Sequence, residues 1–457
     1  MALEARPSYR VCPMKRLVLC FDGTWNAIAD PKVVTNVVRL ANLITVSDDK
    51  GVAQITYYNS GVGSGGPIDR FIGGAFGAGL KANVKRGLTF LALNYDQGDE
   101  IYLFGFSRGA YTARALGGVI GAAGIPLDIS ETERHWTYYQ QIAKLKDKAG
   151  RYHRDSPRRQ PFKDQITALE DELSRVSRYQ GDDVPIACIG VWDTVGAYGI
   201  PSGFGLGTFS RLATYWTRGF RDTRIGAKVK VGLHAVAIDE MRRPFVPTFW
   251  TLRDDRELED ASQDVEQVWF PGVHSNIGGG YDNAGLSDLA LAWMVAMVQE
   301  KTDLKFNEEE VRNAIWPCSA ATLYRSSKGG AFTSARDILP GSFPLVASRI
   351  RGVWRRLLGK EVRVMIHRIN EKVHWSVRER SGWKNTLVDG LGAARYTPAN
   401  LKPGIAQAIA PSPLEESLLS RDRDWKGKCP LETAGLVCEC QTRAAAGKPA
   451  PSASVAA

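Results

Sequence analysis

One segment constrains the fold of this chain more than any other. The apolar run EIYLFGF at residues 100–106 leads directly into GFSRG at 105–109, and an Ala- and Leu-rich stretch follows at 110–124. These patterns predict a buried strand, a sharp turn and a helix. A serine on such a turn, in the pattern Gly-x-Ser-x-Gly, projects its hydroxyl beyond the sheet, and the flanking glycines prevent side-chain collisions. Ser107 is therefore a candidate nucleophile, with helix capping as its alternative role.

The same alternation of apolar runs and helical spacing continues through the first two hundred residues and beyond. It predicts a mostly parallel sheet covered by helices, an α/β fold of the α/β-hydrolase type. The predicted strands are Arg16–Phe21, Gln54–Tyr58, Glu100–Phe106, Pro185–Trp192, Lys230–Ile238 and Val265–Phe270. The predicted helices are Thr35–Leu43, Ala82–Leu93, Ala110–Gly124 and Ser287–Gln299.

Residues 129–182 interrupt this alternation. They are strongly charged, with a helical pattern at 166–179, and we interpret them as a helical insertion or cap. The predicted organisation is an N-terminal extension at 1–14, a catalytic domain at 15–400 that contains the insertion, and a C-terminal extension at 401–457. The low-complexity end of that extension is expected to be disordered.

Charge and cysteine content narrow the classes of function. Lys+Arg 59 against Asp+Glu 49 gives a formal net charge of +10, a modest excess that fits an anionic lipid surface but is common in other proteins. The 7 cysteines show neither a disulfide framework nor paired zinc-ligand spacing. We expect no metal, no other cofactor and no nucleic-acid partner.

The N-terminal apolar run, residues 17–21, is too short for the core of a signal peptide. No run approaches the ~18 apolar residues of a transmembrane helix. We expect synthesis in the cytoplasm, and export by a route without an N-terminal signal stays open.

A serine nucleophile needs a base, and the base needs an orienting acid. In this fold the chain order is serine, acid, histidine. His274 lies in the loop PGVHSNIGGGY directly after a predicted strand, where the base belongs; capping the next turn is its alternative role. His234 falls inside a predicted strand and is expected to face the core.

Two aspartates compete for the role of the acid, because each follows the carboxyl end of a predicted strand. Asp193 is preferred, since Thr194 and the glycine beyond it indicate a tight turn. Asp239 is the alternative acid. It precedes Glu240 and the basic pair at 242–243, so a salt bridge is its other expected role.

The oxyanion of an ester-cleaving serine enzyme is stabilised by backbone N–H groups. Arg108, the residue after the serine, supplies one predicted donor. The loop after the first strand supplies the other side of the hole, where Gly23 lets a substrate oxygen approach closely. Asp22 either orients this loop or forms a simple Asp-Gly turn.

Three further segments are ambiguous. The glycine-rich motif at 61–66 follows the second strand rather than the first, which favours a loop beside the site over a dinucleotide site. Residues 198–228 are either an apolar lid or a packed connection. Residues 349–363 form either a basic amphipathic helix at a membrane surface or an ordinary solvated helix.

Several segments together resemble the bacterial type VI secretion phospholipase effectors of the first class and their relatives. The matching segments are LVLCFDGTWN at 17–26, TNVVRL at 35–40, YYNSGVGS at 57–64, GDEIYLFGFSRGAYTAR at 98–114, VWDTVGA at 191–197, HAVAIDE at 234–240, VWFPGVHSNIGGGY at 268–281 and YTPANL at 396–401. The resemblance implies an α/β-hydrolase fold with a triad of Ser107, Asp193 and His274. One departure is Asn276, where the family often has aspartate.

The resemblance also implies ester hydrolysis, which in several effectors acts on the acyl chains of phospholipids. We therefore expect a serine hydrolase that cleaves carboxylic esters, with membrane lipid as substrate, peripheral membrane contact, and a secretion-machinery or immunity partner if the chain is an effector. The alternatives are a hydrolase of non-lipid acyl esters or thioesters, and a non-catalytic membrane- or partner-binding protein on the same fold.

Overall fold

A computed structural model of the protein describes residues 14–23, 34–61, 75–153, 155–195, 225–240, 242, 245, 247–251, 263–319, 321–324, 370–380, 386–388, 392–394, 396 and 408–420. Several predictions fall on other residues and so lie outside the described part of the chain. They concern residues 1–13 of the N-terminal extension, most of the glycine-rich motif, residues 198–224 of the candidate lid, the basic segment at 349–363 and the tail after 420.

A parallel sheet of eight strands forms the centre of the fold, in the order β12-β9-β8-β7-β6-β3-β1-β2. Its strands are β1 (Arg16–Phe21), β2 (Gln54–Asn59), β3 (Glu100–Phe106), β6 (Ile186–Trp192), β7 (Val229–Ala237), β8 (Asp264–Phe270), β9 (Glu371–His374) and β12 (Ala408–Ile409). Every pairing in this sheet is parallel. The predicted α/β fold is confirmed, and each predicted strand is present with bounds within one residue of the prediction.

Two short antiparallel pairs lie outside the main sheet. They are β4 (Ile125–Pro126) with β5 (Ser177–Tyr179), and β10 (Thr386–Val388) with β11 (Gly392–Ala394). The first pair joins the two ends of the predicted insertion.

Helices cover both faces of the sheet. They are α1 (Asn36–Leu43), α2 (Ala75–Asn94), α3 (Arg108–Ala123), α4 (Thr132–Ala149), α5 (Gln160–Arg175), α6 (His274–Gly278), α7 (Gly285–Lys301), α8 (Glu308–Ala314), α9 (Trp375–Arg380) and α10 (Pro413–Leu419). The start of α2 was predicted seven residues too late, because two glycines in its first turns lower its helix propensity.

The apolar core is divided into two clusters by the sheet, since successive strand residues point to opposite faces. In β1, Leu17 and Leu19 pack with α2 and α3 on one face. Val18 and Cys20 pack with α1 and α7 on the other face. All six residues of β1 are buried, as expected for a central strand of a parallel sheet covered on both sides.

The longest helix on the second face, α7, is apolar on nearly every side and almost wholly buried. Such a helix is stable only inside a core. Trp293 in its middle is fully buried and packs edge-on against Phe270 at the end of β8, with ring centroids 5.5 Å apart. This contact fixes the strand end from which the His274 loop departs.

The charged insertion is helical as predicted, in α4 and α5, although the second helix gives way to strand β5 at Ser177. The insertion is anchored to the core by Trp136, which is fully buried in the cluster that contains α2 and α3. His135 is also fully buried, with its Nε2 2.9 Å from the carbonyl oxygen of Ala123.

The main sheet continues beyond residue 400, because β12 pairs with β9 and α10 packs on the core. A buried polar cluster joins these elements. His374 Nε2 lies 2.8 Å from Glu415 Oε1, and His374 Nδ1 lies 2.6 Å from Ser376 Oγ. Trp375 donates to the same carboxylate, and the N–H and hydroxyl of Ser412 donate to its other oxygen. We call these residues the C-terminal cluster.

None of the helices in the described ranges is long and apolar enough to cross a bilayer.

Candidate active site

Ser107 stands at the junction of β3 and α3, where the strand run ends and the helix begins. Its backbone has φ 59° and ψ −119°, a conformation that costs a non-glycine residue of the order of 1–3 kcal/mol. Its N–H donates to the carbonyl of Trp192 on the neighbouring strand at 3.0 Å. The strained turn is therefore held by the sheet and directs the hydroxyl away from the helix, which it does not cap.

The two glycines of the motif are required because a side chain at either position would collide with neighbouring backbone atoms. A β-carbon at Gly105 would lie 2.4 Å from the carbonyl oxygen of Gly109. A β-carbon at Gly109 would lie 2.0 Å from the carbonyl oxygen of Phe21 in β1. Both contacts are with backbone, which cannot move aside without opening the sheet. The Gly-x-Ser-x-Gly pattern is thus explained by the close approach of α3 to β1 and β3.

His274 is the first residue of the short helix α6, four residues after β8. Its Nε2 lies 2.8 Å from Ser107 Oγ. Its ring contacts those of Phe106 and Phe245, with centroids 4.6 and 4.8 Å away. A β-carbon at Gly278 would lie 2.1 Å from the Phe106 ring, so this glycine lets α6 approach the elbow. The imidazole is therefore fixed by packing on the ring as well as by hydrogen bonds.

Asp193 follows β6 and lies on the far side of His274, with Oδ2 2.6 Å from the Nδ1 of the imidazole. It is fully buried and has a positive φ of 40°. Its N–H donates to Ala235 at 2.8 Å, and its Oδ1 accepts from the N–H of Ala237 at 3.1 Å. Burial raises the pKa of Asp193, while the hydrogen bond from His274 opposes that rise.

The structure brings Ser107, His274 and Asp193 into one hydrogen-bonded chain and places the alternative acid elsewhere. Asp239 accepts from the N–H of Gly272 at 2.7 Å and from the hydroxyl of Tyr396 at 2.9 Å. Burial raises the pKa of Asp239 to about 6. The ion pair considered for Asp239 is made instead by its neighbour Glu240, whose carboxylate binds Arg242 Nε at 2.9 Å and Nη2 at 2.8 Å. Asp239 shapes the loop before His274.

The two residues predicted for the oxyanion hole, Arg108 and Gly23, both lie next to Ser107. Arg108 is the first residue of α3, and the first turn of a helix presents backbone N–H groups and a positive dipole end. Burial lowers the pKa of the Arg108 guanidinium to about 10. A β-carbon at Gly23 would lie 3.6 Å from Cβ of Ser107, so this glycine leaves space beside that side chain.

Asp22 organises the loop that contains Gly23. Its Oδ1 accepts from the N–H of Gly23 at 2.6 Å, and its Oδ2 accepts from the hydroxyls of Thr35 and Tyr58, each at 2.7 Å. The carboxylate is 2% exposed. Of the two roles considered for Asp22, these contacts favour the orientation of the loop. The N–H of Gly23 is bonded to this carboxylate.

The asparagine that departs from the family pattern has a local explanation. Asn276 Oδ1 accepts from the N–H of Val273, and its Nδ2 donates to the carbonyl of Thr322 at 3.4 Å. An ionised aspartate accepts but does not donate. The amide therefore links the His274 loop to the segment after α8.

No group of three or more histidine, cysteine, aspartate or glutamate side chains suited to a metal ion occurs within the described ranges. The site is organised around the hydrogen-bonded chain of Ser107, His274 and Asp193.

Comparison with known proteins gives the family of the chain. A family model described as the catalytic domain of Tle1-like phospholipase effectors of the type VI secretion system matches residues 15–297, more than half of the chain. The chain belongs to this family. The resemblance inferred from the motifs is confirmed, and the Tle1-like chain is a member of a family of hydrolases.

Individual relatives are distant. An uncharacterized protein of Saccharomyces cerevisiae is 27% identical over 285 residues, which are 57% of the Tle1-like chain and 37% of the yeast protein. A crystal structure of an uncharacterized protein from Pseudomonas aeruginosa matches with a TM-score of 0.38 and 19% identity, covering 66% of this chain and 47% of that one. A Tle1 effector bound to the VgrG spike matches with a TM-score of 0.32 and 20% identity, covering 60% and 52%. The chain thus spans about a third to a half of these proteins.

Sequence reasoning missed three contributors around the Tle1-like site. Glu240 accepts the backbone N–H of His274 at 3.2 Å, Phe245 packs on the imidazole, and His234 contacts the turn of Asp193. His234 is buried, as predicted for a strand residue, but its contact is polar. The one available signal was the motif HAVAIDE, in which two acids directly follow a buried strand.

Proposed function

We propose that this protein is a serine hydrolase that cleaves carboxylic esters of membrane phospholipids through an acyl-enzyme. The observation that carries the proposal is the 2.8 Å separation of Ser107 Oγ and His274 Nε2, with Asp193 behind the imidazole at 2.6 Å. Both distances are those of hydrogen bonds. They join the hydroxyl to one nitrogen of the imidazole and the carboxylate to the other, which is the arrangement that proton transfer from the serine to the histidine requires.

In the first half of the reaction, Ser107 Oγ attacks the carbonyl carbon of the ester and its proton passes to His274 Nε2. The carbonyl oxygen becomes an oxyanion, which the backbone N–H of Arg108 and the start of α3 stabilise. Asp193 holds the imidazole with Nδ1 protonated and stabilises the positive charge that forms on it. The ester C–O bond then breaks, and His274 donates the proton to the departing alcohol.

In the second half, a water molecule attacks the acyl group on Ser107 and gives one proton to His274. The tetrahedral intermediate again places its negative charge near Arg108. The bond to Oγ breaks, the proton returns from His274 to Ser107, and a free carboxylic acid leaves. The free serine is restored, so the proposed cycle consumes only ester and water.

The substrate class rests on membership of the phospholipase effector family. We propose that the relevant ester lies in a lipid bilayer and that the protein contacts the membrane surface reversibly. The formal charge of +10 favours approach to anionic lipid. Since the family is named for type VI secretion, we also propose a secretion-machinery component as partner and export by that route.

A fluorophosphonate probe and three substrates test the proposal. Wild type and Ser107→Ala are assayed on phospholipid vesicles, a soluble short-chain ester and an acyl thioester, each with probe labelling. We expect labelling and vesicle hydrolysis in wild type only. Hydrolysis confined to the soluble ester or thioester would replace the lipid assignment. Equal rates in the two proteins would overturn the serine mechanism, and vesicle binding without labelling would indicate a non-catalytic membrane protein.

A further inference from the structure

The motif HAVAIDE, residues 234–240, contacts both the candidate acid and the candidate base, although it supplies neither. The segment comprises the end of β7 and the residues after it. We call it the alignment segment. Its backbone binds Asp193 at two places, through the carbonyl of Ala235 and the N–H of Ala237. Side chains extend these contacts at both ends.

At its first end, His234 fixes the turn that carries Asp193. His234 Nε2 accepts the N–H of Thr194 at 3.2 Å, and its Nδ1 lies 3.3 Å from Gln267 Oε1. Because an N–H can only donate, Nε2 must be the unprotonated nitrogen and Nδ1 the protonated one. The bond holds Thr194, the residue directly after Asp193. The positive φ of Asp193 is a strained conformation that needs such support.

The surroundings of His234 keep its ring neutral. The side chain is fully buried, and burial together with the charge of Arg114 lowers the pKa of His234 to about 3. Arg114 is held over the ring of Trp250 at 4.8 Å and donates to the carbonyl of Thr248. The N–H of Trp250 in turn donates to Gln267 Oε1 at 2.7 Å. The acceptor at Nε2 is therefore available throughout the neutral pH range.

At its other end, the segment fixes the loop that carries His274. Asp239 exchanges hydrogen bonds with the backbone of Gly272, at 2.7 and 3.0 Å. Glu240 accepts the N–H of His274 at 3.2 Å and is 1% exposed, with Arg242 as its counter-ion. One short segment thus determines the relative position of the acid and the base.

We infer that His234 and Glu240 are positioning residues for the hydrolytic reaction, which fix Asp193 and His274 relative to each other through backbone N–H groups. This inference rests on the proposed function. His234 acts as a neutral acceptor under the Asp193 turn, and Glu240 acts as an anionic acceptor under the His274 turn. Neither side chain is assigned a contact with substrate.

The main experiment compares His234→Leu, His234→Gln and the control Val231→Ala in the full chain. Val231 is a buried residue of the same strand that lies outside the alignment segment, in the apolar cluster that contains Cys188 and Leu233. We expect His234→Leu to lower kcat about 10²-fold with KM little changed, since a misplacement of about 1 Å has that effect. His234→Gln keeps an acceptor for Thr194 and should retain most of the rate. Val231→Ala should lose stability while its kcat per folded molecule is unchanged.

A second measurement begins with the wild-type protein, so its first part does not depend on the folding of a variant. Nitrogen-15 NMR of the wild-type protein at neutral pH should show His234 with Nδ1 protonated and Nε2 unprotonated. The far-downfield proton shared by His274 and Asp193 should be present in wild type and His234→Gln, and lost or shifted in His234→Leu. A protonated Nε2 in His234 would overturn the inference, as would a folded His234→Leu protein with wild-type kcat.

Glu240 is tested with Glu240→Gln and Glu240→Ala on the same substrates. The glutamine keeps an oxygen for the His274 N–H, so it should retain more kcat than alanine, and equal losses in the two variants would contradict the role. Ser107→Ala distinguishes a failure of the positioning inference from a failure of the proposed function. If Ser107→Ala is inert but the His234 and Glu240 variants are unaffected, only the positioning inference fails. If Ser107→Ala retains full activity, the proposed function fails.

Discussion

Two clusters in this protein join a serine, a histidine and a carboxylate by hydrogen bonds, and they differ in how they are built. In the candidate active site, Ser107 binds the imidazole at Nε2, far from the backbone of the histidine. In the C-terminal cluster, Ser376 binds His374 at Nδ1, two residues away along the chain. The first serine belongs to a strained turn at the end of a strand, whereas the second belongs to the short helix α9.

The environment of the acid separates the clusters further. Glu415 accepts from His374, from Trp375 and twice from Ser412, so its carboxylate serves to attach α10 to β9. Ser376 has no exposed surface, which denies a substrate carbon access to its hydroxyl. The comparison teaches that hydrogen-bonded residue types alone do not make a hydrolase site. The position at the carboxyl ends of the strands and the geometry of the serine are also needed.

The largest expected effect is the difference in ester hydrolysis between variants of the two serines. Ser107→Ala should lower ester hydrolysis about 10⁶-fold, because the nucleophile is removed. Ser376→Ala should keep wild-type turnover. Rates on a soluble ester and fluorophosphonate labelling measure both. If Ser376→Ala lost turnover and labelling while Ser107→Ala kept them, the assignment of the two clusters would be reversed.

The second prediction separates the two aspartates that compete as the acid. Asp193→Asn should lower kcat about 10⁴-fold, since the amide favours the wrong tautomer of His274. Asp239→Asn should have a far smaller effect, because Asp239 binds Gly272 and Tyr396 rather than the imidazole. Steady-state kinetics at neutral pH tests the pair, and a larger loss in Asp239→Asn would identify it as the acid.

The third prediction concerns the stability supplied by the C-terminal cluster. Glu415→Ala leaves His374 and its other donors buried without an acceptor, so it should lower the free energy of unfolding by about 3–5 kcal/mol. The matched control is Glu416→Ala, one residue further on an exposed position of the same helix. Urea unfolding measures both. Equal losses would show that helix α10, not the cluster, is responsible.

The smallest expected effect is on the pH dependence of stability. Burial raises the pKa of Asp239 to about 6, so the folded chain binds this proton more tightly than the unfolded chain. Folding therefore takes up a proton between about pH 4 and pH 6, and the contribution of Asp239 to stability falls as pH rises through that window. Asp239→Asn should remove this slope in urea unfolding measured at a series of pH values.

Glu415 is expected to have the opposite sign. Burial alone would raise its pKa, but His374 and Ser412 outweigh burial and hold the pKa of Glu415 below its ordinary value. Its contribution is complete above the ordinary glutamate pKa and is lost as pH falls through the lower folded value. Glu415→Ala should therefore flatten the acid limb of the profile. A steeper acid limb in this variant would contradict the assigned direction.

The parts of this fold that could be predicted are those encoded within a few consecutive residues. Six strands of the parallel sheet, β1, β2, β3, β6, β7 and β8, are short apolar-rich segments, so their ends agree with the prediction to within one residue. The elbow and the loop of His274 follow such runs directly. By contrast, β12 has two residues and its partner β9 has four. Such short segments do not show a recognisable pattern of apolar residues from which a strand could be predicted.

Contacts between distant segments account for what the sequence did not predict. Glu415 is 41 residues from the histidine it binds, and no local pattern indicates that pairing. In the candidate site, the chain order serine, acid, histidine predicted Asp193 and His274 as the partners of Ser107. The role of Glu240, by contrast, depends on how two loops meet after folding. His234 lies in the core, so its sequence context is that of a core residue. Only its tautomer and the hydrogen bond that it accepts from the N–H of Thr194 distinguish it from a histidine that merely packs in the core.

The alignment segment has a consequence for how such proteins diversify. The three side chains of the candidate triad arrive on connections that leave β3, β6 and β8, yet one element, β7 with the residues after it, contacts the backbone of both Asp193 and His274. Loops beyond those contacts can vary in length and composition while the chemistry keeps its geometry. Selection for a new substrate can thus act on the surrounding connections independently of the proposed catalytic geometry.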